Sequence, residues 1–260
     1  MNLNYCITWR KREKETYLRF HCDNINDLKK LDAVTETEII ISGLKQKEFE
    51  VFCNEYADKF QIVQLEHCNL INDFSQLEKL QNLQFLIIDW NNKATKLWNM
   101  ANNLLLKGLL LDDMMKIKHI DGIELAPALE ELIIQEGVDV KLYLDTLEPL
   151  SKCDFIKKLG IHISGITDNS ALPIIKMKSL EELALSAVLF ETEQYAMLAA
   201  RLKNVKISPN APYIVYDKID NSRKNNVLVI GKNKRWTSEN SPKLKQYETE
   251  WNEYIQKYNS

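Results

Sequence analysis

Residues 129–134 read LEELII and residues 180–185 read LEELAL. In each run apolar residues hold the first, fourth and sixth places, the pattern LxxLxL. The same frame fits Leu83-Leu86-Ile88, Leu106-Leu109-Leu111 and Ile156-Leu159-Ile161, and, with conservative changes, Phe60-Val63-Leu65 and Leu202-Val205-Ile207. Two weaker matches, Leu18-Phe20 and Ile39-Ile41, precede them. The central residues Leu18, Ile39, Val63, Leu86, Leu109, Leu132, Leu159, Leu183 and Val205 are 21, 24, 23, 23, 23, 27, 24 and 22 residues apart. A compact α/β domain with leucine-rich strands has no reason to space them so evenly. A repeat does.

The period and the pattern LxxLxLxx(N/C)xL resemble those of leucine-rich repeats. The Asn/Cys place of that consensus is met by Asn91 in LQFLIIDWN and by Cys68 in FQIVQLEHC, whereas Met114, Gly137, Ser164 and Val188 occupy it in later units. In this family such a side chain sits inside the coil and bonds backbone groups that the turn leaves unpaired. The resemblance covers about residues 16–210, and its short, irregular returns are similar to the internalin-like, irregular bacterial subgroup. It implies an α/β fold: a curved solenoid with a parallel β-sheet on the concave face, helices or 3₁₀ turns on the convex face, and a cap at each end.

Some returns between strands read as helical. KQKEFEVFCNEYADKF spaces Phe49, Phe52, Tyr56 and Phe60 by three and four, and KLWNMANNLLL does the same with Leu97, Ala101 and Leu104. DFSQLEKLQNL, DGIELAPAL and NSALPIIKMKSL read as short and irregular, the last two each interrupted by proline. Residues 1–35 are expected to hold a hairpin, with NYCITW and TYLRFH flanking RKREKE, and the first weak repeat. The solenoid follows over 36–210. Residues 211–260 are expected to form a C-terminal cap, with PYIVYD and NVLVIG as a strand pair. Its helix starts at Ser241-Pro242 and aligns Leu244, Tyr247, Trp251, Ile255 and Tyr258 on one face.

Composition narrows the function. The net charge of −3 divides into 9 Lys/Arg against 6 Asp/Glu over 211–260, which is +3, and therefore −6 over 1–210. A nucleic-acid-binding chain would carry a basic stripe instead. MNLNYCITWRKREKE has no signal-peptide core, and no apolar run is long enough to span a bilayer. Five cysteines, odd in number and without CxxC pairing, suit a reducing compartment, so a cytoplasmic location is expected. The four histidines show no metal-ligand spacing, and neither a phosphate-binding loop nor a nucleophile motif occurs. No cofactor, metal or catalytic residue is expected.

The residues between the leucines face outward, because strand side chains alternate. One outward column reads Ile87, Leu110, Ile133. The column two residues earlier includes Phe85 and Glu131. The column two residues later includes Glu66, Asp89, Asp112, Gln135 and His162, with Trp90, Asp113 and Glu136 just beyond. These residues make up the expected partner-binding site on the concave face: an apolar middle beside an acidic row. Nine strands about 4.8 Å apart give a sheet roughly 40 Å wide, enough for a protein partner and more than a small ligand needs. The acidic row favours a basic partner. The sequence therefore reads as a non-enzymatic protein-binding module, such as a cytosolic immunity protein or inhibitor that neutralises a toxin or nuclease. A scaffold or adaptor, or an effector with its activity in 211–260, is the alternative, and oligomeric state is open.

Overall fold

The structure is a computed structural model that describes residues 17–138, 140–216, 225–233 and 236–259. The expected first strand of the N-terminal hairpin lies outside the described residues. Among the described residues the first six strands are β1 (Leu18–His21), β2 (Glu38–Ser42), β3 (Ile62–Glu66), β4 (Phe85–Asn91), β5 (Gly108–Met114) and β6 (Glu131–Gln135). Five more follow: β7 (Tyr143–Leu144), β8 (Lys158–His162), β9 (Gly165–Ile166), β10 (Glu182–Leu185) and β11 (Lys206–Ser208). Nine of these form one parallel sheet in the order β1-β2-β3-β4-β5-β6-β8-β10-β11, so each strand lies beside its neighbour in sequence. The short β7 and β9 pair parallel in a separate two-stranded sheet, which accommodates the longest spacing, between Leu132 and Leu159.

Register follows the leucine frame. Leu18, Ile39, Val63, Leu86, Leu109, Leu132, Leu159 and Leu183 are Cα partners across eight successive strands. One correction applies at the last strand: Leu183 pairs with Ile207, not Val205, and Lys206 lies opposite Glu182. The slip is two residues, so it preserves which face each side chain occupies.

A shared acceptor fixes the start of each strand. The Gln61 carbonyl accepts from Gln84 N–H at 2.7 Å and Phe85 N–H at 3.1 Å, and the Gln84 carbonyl accepts from Lys107 at 2.7 Å and Gly108 at 3.1 Å. The Lys107, Glu130 and Lys157 carbonyls repeat the device one, two and three strands on. With both N–H groups of the incoming chain held, a shift of register would break two bonds at every step.

The frame leucines line the core. Leu86, Ile88, Leu109, Leu111, Leu132 and Ile134 are buried in one continuous cluster, closed on its far side by residues of the returns such as Phe74, Leu77, Trp98 and Ile123. Burying a leucine or isoleucine in this way contributes roughly 1.5–3 kcal/mol of transfer free energy, repeated in every unit.

The returns are less regular than the leucines. KQKEFEVFCNEYADKF forms α1 (Gln46–Val51), then a π-turn over Phe52–Tyr56 and a 3₁₀ turn over Ala57–Lys59. The irregular returns contain 3₁₀ turns at Ser75–Lys79 and Ile123–Leu125, and the single-turn α2 (Leu172–Ile175). The helix expected in KLWNMANNLLL is absent: residues 92–107 form turns. Asparagine side chains out-compete the helix there. Asn99 Oδ1 accepts from Ala101 N–H at 3.0 Å. The buried Asn103 donates to the Leu77 carbonyl at 2.8 Å and the Leu80 carbonyl at 3.2 Å, and accepts from the Trp98 indole at 2.9 Å.

After β10 the chain forms α3 (Thr192–Arg201). Beyond β11 it forms three antiparallel strands, β12 (Tyr213–Val215), β13 (Val227–Val229) and β14 (Trp236–Thr237), and then α4 (Lys243–Asn259). The helix α4 packs on α3. Trp251 is buried in the core cluster, Tyr254, Ile255 and Tyr258 pack against it, and Glu193 accepts from Lys257 and from the Tyr258 hydroxyl at 2.7 Å each.

Candidate interaction surface

The outward face of the sheet is built in rows, because parallel register carries each position straight across. In the first row Ile62, Phe85, Gly108, Glu131, Lys158, Glu182 and Lys206 are successive partners. Its polar half alternates in sign, with Lys158 2.9 Å from Glu131 and Lys206 3.7 Å from Glu182. In the third row His21, Ser42, Glu66, Asp89, Asp112, Gln135 and His162 are partners. Three carboxylates thus stand side by side on β3, β4 and β5. Like charges directly opposite one another on neighbouring strands repel, and cations nearby relieve the repulsion. Arg19 supplies one, 3.1 Å from Glu66. At the other end of the row, burial holds the His162 imidazole below its ordinary pKa and favours the neutral ring.

Between these rows lie Ile87, Leu110 and Ile133, in register and forming a hydrophobic cluster of their own, separate from the main core. Here an expectation is corrected. These residues face outward but are not open to solvent: Ile87 is 2% exposed, Leu110 0% and Ile133 4%. Among the described residues, the partly buried hydrophobic side chains packed against them are Ile62 and Phe85.

The rim has a feature that the periodicity did not reveal. Immediately after the acidic row, His67, Trp90 and Asp113 adopt left-handed backbone conformations, with φ of 53°, 59° and 54°. Gly43, with φ 80°, follows Ser42 at the same place one repeat earlier. The turn at the end of each strand demands this conformation. Glycine adopts it freely, whereas a bulky residue does so at roughly 1–2 kcal/mol. The glycine in the earlier repeat was the available signal. One result is an aromatic pair on neighbouring turns: the His67 and Trp90 rings meet edge to face with centroids 4.8 Å apart, and Trp90 is 42% exposed. A second is that Asp113 turns towards the next repeat, where a Cβ on Gly137 would lie 2.6 Å from its carboxylate carbon.

Glu136 has an internal task. Its carboxylate accepts from the N–H groups of Leu142 and Ser164 at 2.8 Å each and from the Ser164 hydroxyl at 3.0 Å, tying down the loops around β7. Glu131, paired with Lys158, is half-buried. The sequence-predicted residues are therefore brought onto one face. Glu66, Asp89, Asp112, Gln135, His162, Phe85 and Trp90 line it, Ile87, Leu110 and Ile133 are sealed within it, and Glu136 serves the scaffold.

Among the described residues no group of three or more His, Cys, Asp and Glu is arranged to hold a metal ion, and no helix is long and apolar enough to cross a membrane. The cysteines Cys22, Cys53, Cys68 and Cys153 are buried free thiols.

No protein-family model matches the chain, and no curated protein matches it in sequence. Among solved structures the chain is similar to an internalin, inlF, from Listeria monocytogenes str. 4b F2365, with 17% identity and a TM-score of 0.41 over 65% of this chain. The match takes in 51% of that protein, so this chain spans about half the internalin's length.

Proposed function

We propose that the chain is a leucine-rich-repeat solenoid that binds a basic protein through the outward face of its parallel sheet. In this reading it acts in the cytosol as a non-enzymatic inhibitor, of the kind that neutralises a toxin or nuclease. One observation carries the proposal: Glu66, Asp89 and Asp112 stand in register on adjacent strands, next to an exposed Trp90 on a strained turn. A row of acidic side chains in register complements a cationic surface laid across it, which speeds encounter and selects against acidic partners. An exposed indole beside that row is the kind of aromatic anchor that dominates protein interfaces.

The test is capture of partners from the native cell by the full chain and by Asp89→Lys/Asp112→Lys and Trp90→Ala. Because Ile87 and Leu110 are buried, rim substitutions examine the surface without opening a hydrophobic cluster. Loss of the captured protein in both variants, with circular dichroism unchanged, supports the reading. Capture that survives both would point to an adaptor using another surface.

A further inference from the structure

Each return enters its strand through a tight turn, and the tips of these turns form a column at the strand starts, along one margin of the large sheet. Leu83 N–H donates to the Leu80 carbonyl, Leu106 N–H to Asn103 and Leu129 N–H to Ala126, so each closes a turn of the same size. The two tip residues are Gln81-Asn82, Leu104-Leu105 and Pro127-Ala128 in these turns, and Asp154-Phe155 and Lys178-Ser179 follow at the same place. The outer tips bond to the neighbouring repeat: Asn82 donates to the Asp58 carbonyl at 3.0 Å, and Lys178 lies 2.6 Å from Asp154. The two tips between them are apolar. Leu104 is 62% exposed and Leu105 45%, and Leu125, two residues before Pro127, is 45% exposed. A single exposed leucine is ordinary, but leucines gathered on adjoining turns make an apolar patch.

Beside this patch the strand starts alternate in charge. Lys107 precedes β5, Glu130 precedes β6, Lys157 precedes β8 and Glu181 precedes β10. Backbone bonds hold the four in register: the Lys107 carbonyl accepts from Glu130 N–H, that of Glu130 from Lys157 N–H, and that of Lys157 from Glu181 N–H. Within one chain the alternation pairs neighbours, as Lys157 does with Glu130 at 3.0 Å, and both side chains remain solvent-accessible. It has a second consequence. A row of alternating sign, turned end for end by a two-fold axis set between two of its members, meets itself with cation opposite anion.

We propose that this margin is the contact surface between two copies of the chain, related by a two-fold axis between β5 and β6. Leu104 and Leu105 then cover Pro127 and Ala128 of the partner subunit, and Lys107 faces Glu130 of the partner subunit. Each contact occurs twice. The leucines supply the affinity, because exposed ion pairs contribute little. The charges fix the register, because sliding the pairing by one strand would set like against like.

The inference goes beyond the binding face and does not depend on it. The patch lies at the strand starts, whereas Glu66, Asp89 and Asp112 lie late in their strands and Trp90 on the turn beyond. A dimer formed here engages the acidic row of neither copy. It makes the molecule bivalent, so a target presented in two copies would be held by avidity.

Sedimentation velocity of the full chain between about 1 and 100 µM should show monomer converting to dimer, as micromolar self-association does. A monomer throughout that range would overturn the proposal. Leu104→Asp/Leu105→Asp should raise the dimer dissociation constant at least about tenfold. A dimer indifferent to that change would place the contact on another surface and refute the assignment. The deciding measurement uses two charge variants: Lys107→Glu/Lys157→Glu, whose row is wholly acidic, and Glu130→Lys/Glu181→Lys, whose row is wholly basic. Each alone should sediment as a monomer with unchanged circular dichroism. Mixed in equal amounts at low salt, they should form a heterodimer at least about tenfold tighter than either homodimer. Rescue by mixing cannot come from contacts within a chain, and its absence would sink the two-fold arrangement. None of these positions belongs to the acidic row, so failure here leaves partner capture by Asp89 and Asp112 to stand or fall separately.

Discussion

The Asn91 side-chain amide reaches back one full repeat and donates to the Cys68 carbonyl at 3.1 Å, so the two residues at the Asn/Cys consensus place are joined to each other. The same amide donates to the Ile71 carbonyl at 2.8 Å. Its oxygen accepts from Lys93 N–H at 3.1 Å and Ala94 N–H at 2.9 Å. One buried side chain thus satisfies four backbone groups across two turns.

Asn91→Leu should keep the volume and lose all four bonds. Leaving buried carbonyls and N–H groups unpaired costs about 1–3 kcal/mol each, and relaxation recovers part of it. A net destabilisation on the order of 3 kcal/mol is expected, read as a lower midpoint in urea denaturation. The same change at Met114, where the next repeat already has an apolar residue, should shift the midpoint little.

Trp90→Gly separates stability from binding. Glycine relieves the left-handed backbone, as Gly43 does in the earlier repeat, while the contact with His67 is lost. These effects oppose one another, so stability should change by less than about 1 kcal/mol. Partner capture should nevertheless fall sharply. A large loss of stability would show that the ring supports the fold instead.

Four thiols should be silent in the native protein. Burial raises the pKa of Cys22 to about 11 and those of Cys68 and Cys153 to about 12, and raises that of Cys53 as well. At pH 8 almost no thiolate is present at these sites. Iodoacetamide should modify at most one of the five cysteines rapidly without denaturant, and all five in urea. Rapid native labelling of Cys68 would contradict its burial in the core.

His162 gives the protein an acid sensitivity. Its folded pKa is held below the ordinary value of about 6.5 by burial, so the unfolded chain binds the proton more readily. Stability is unaffected above the unfolded pKa and declines as the pH falls from there towards the folded one. His162→Gln should remove this component. The difference in urea midpoint between variant and wild type should move in the variant's favour between pH 7.5 and pH 5, which the paired titration cancels for carboxylates common to both.

The strands were legible in the sequence because their rule is simple: an inward leucine or isoleucine at each third and second step leaves no other face to bury. The rows of the outward surface followed from that frame, as Glu66, Asp89, Asp112, Gln135 and His162 show. What escaped the reading depends on particular side chains competing with the backbone. Asn103 dissolves an expected helix, Glu136 turns inward to collect N–H groups, and the left-handed turns at His67, Trp90 and Asp113 follow no residue type. The two-residue slip at β11 escaped because Val205 and Ile207 are equally apolar. The sealing of Leu110 escaped because alternation says which way a side chain points, not what lies above it.

The order of strands also governs how the molecule yields to force. Every strand of the large sheet is hydrogen-bonded to its sequence neighbours, with β1 and β11 at opposite edges. Among the described residues no ladder of the sheet joins a distant pair of strands that must shear at once. Tension applied through the two outermost strands would peel the stack from its edges, rung by rung. The trace expected in an optical trap is a staircase of small extensions, each releasing one strand and the return that follows it, rather than a single high rupture.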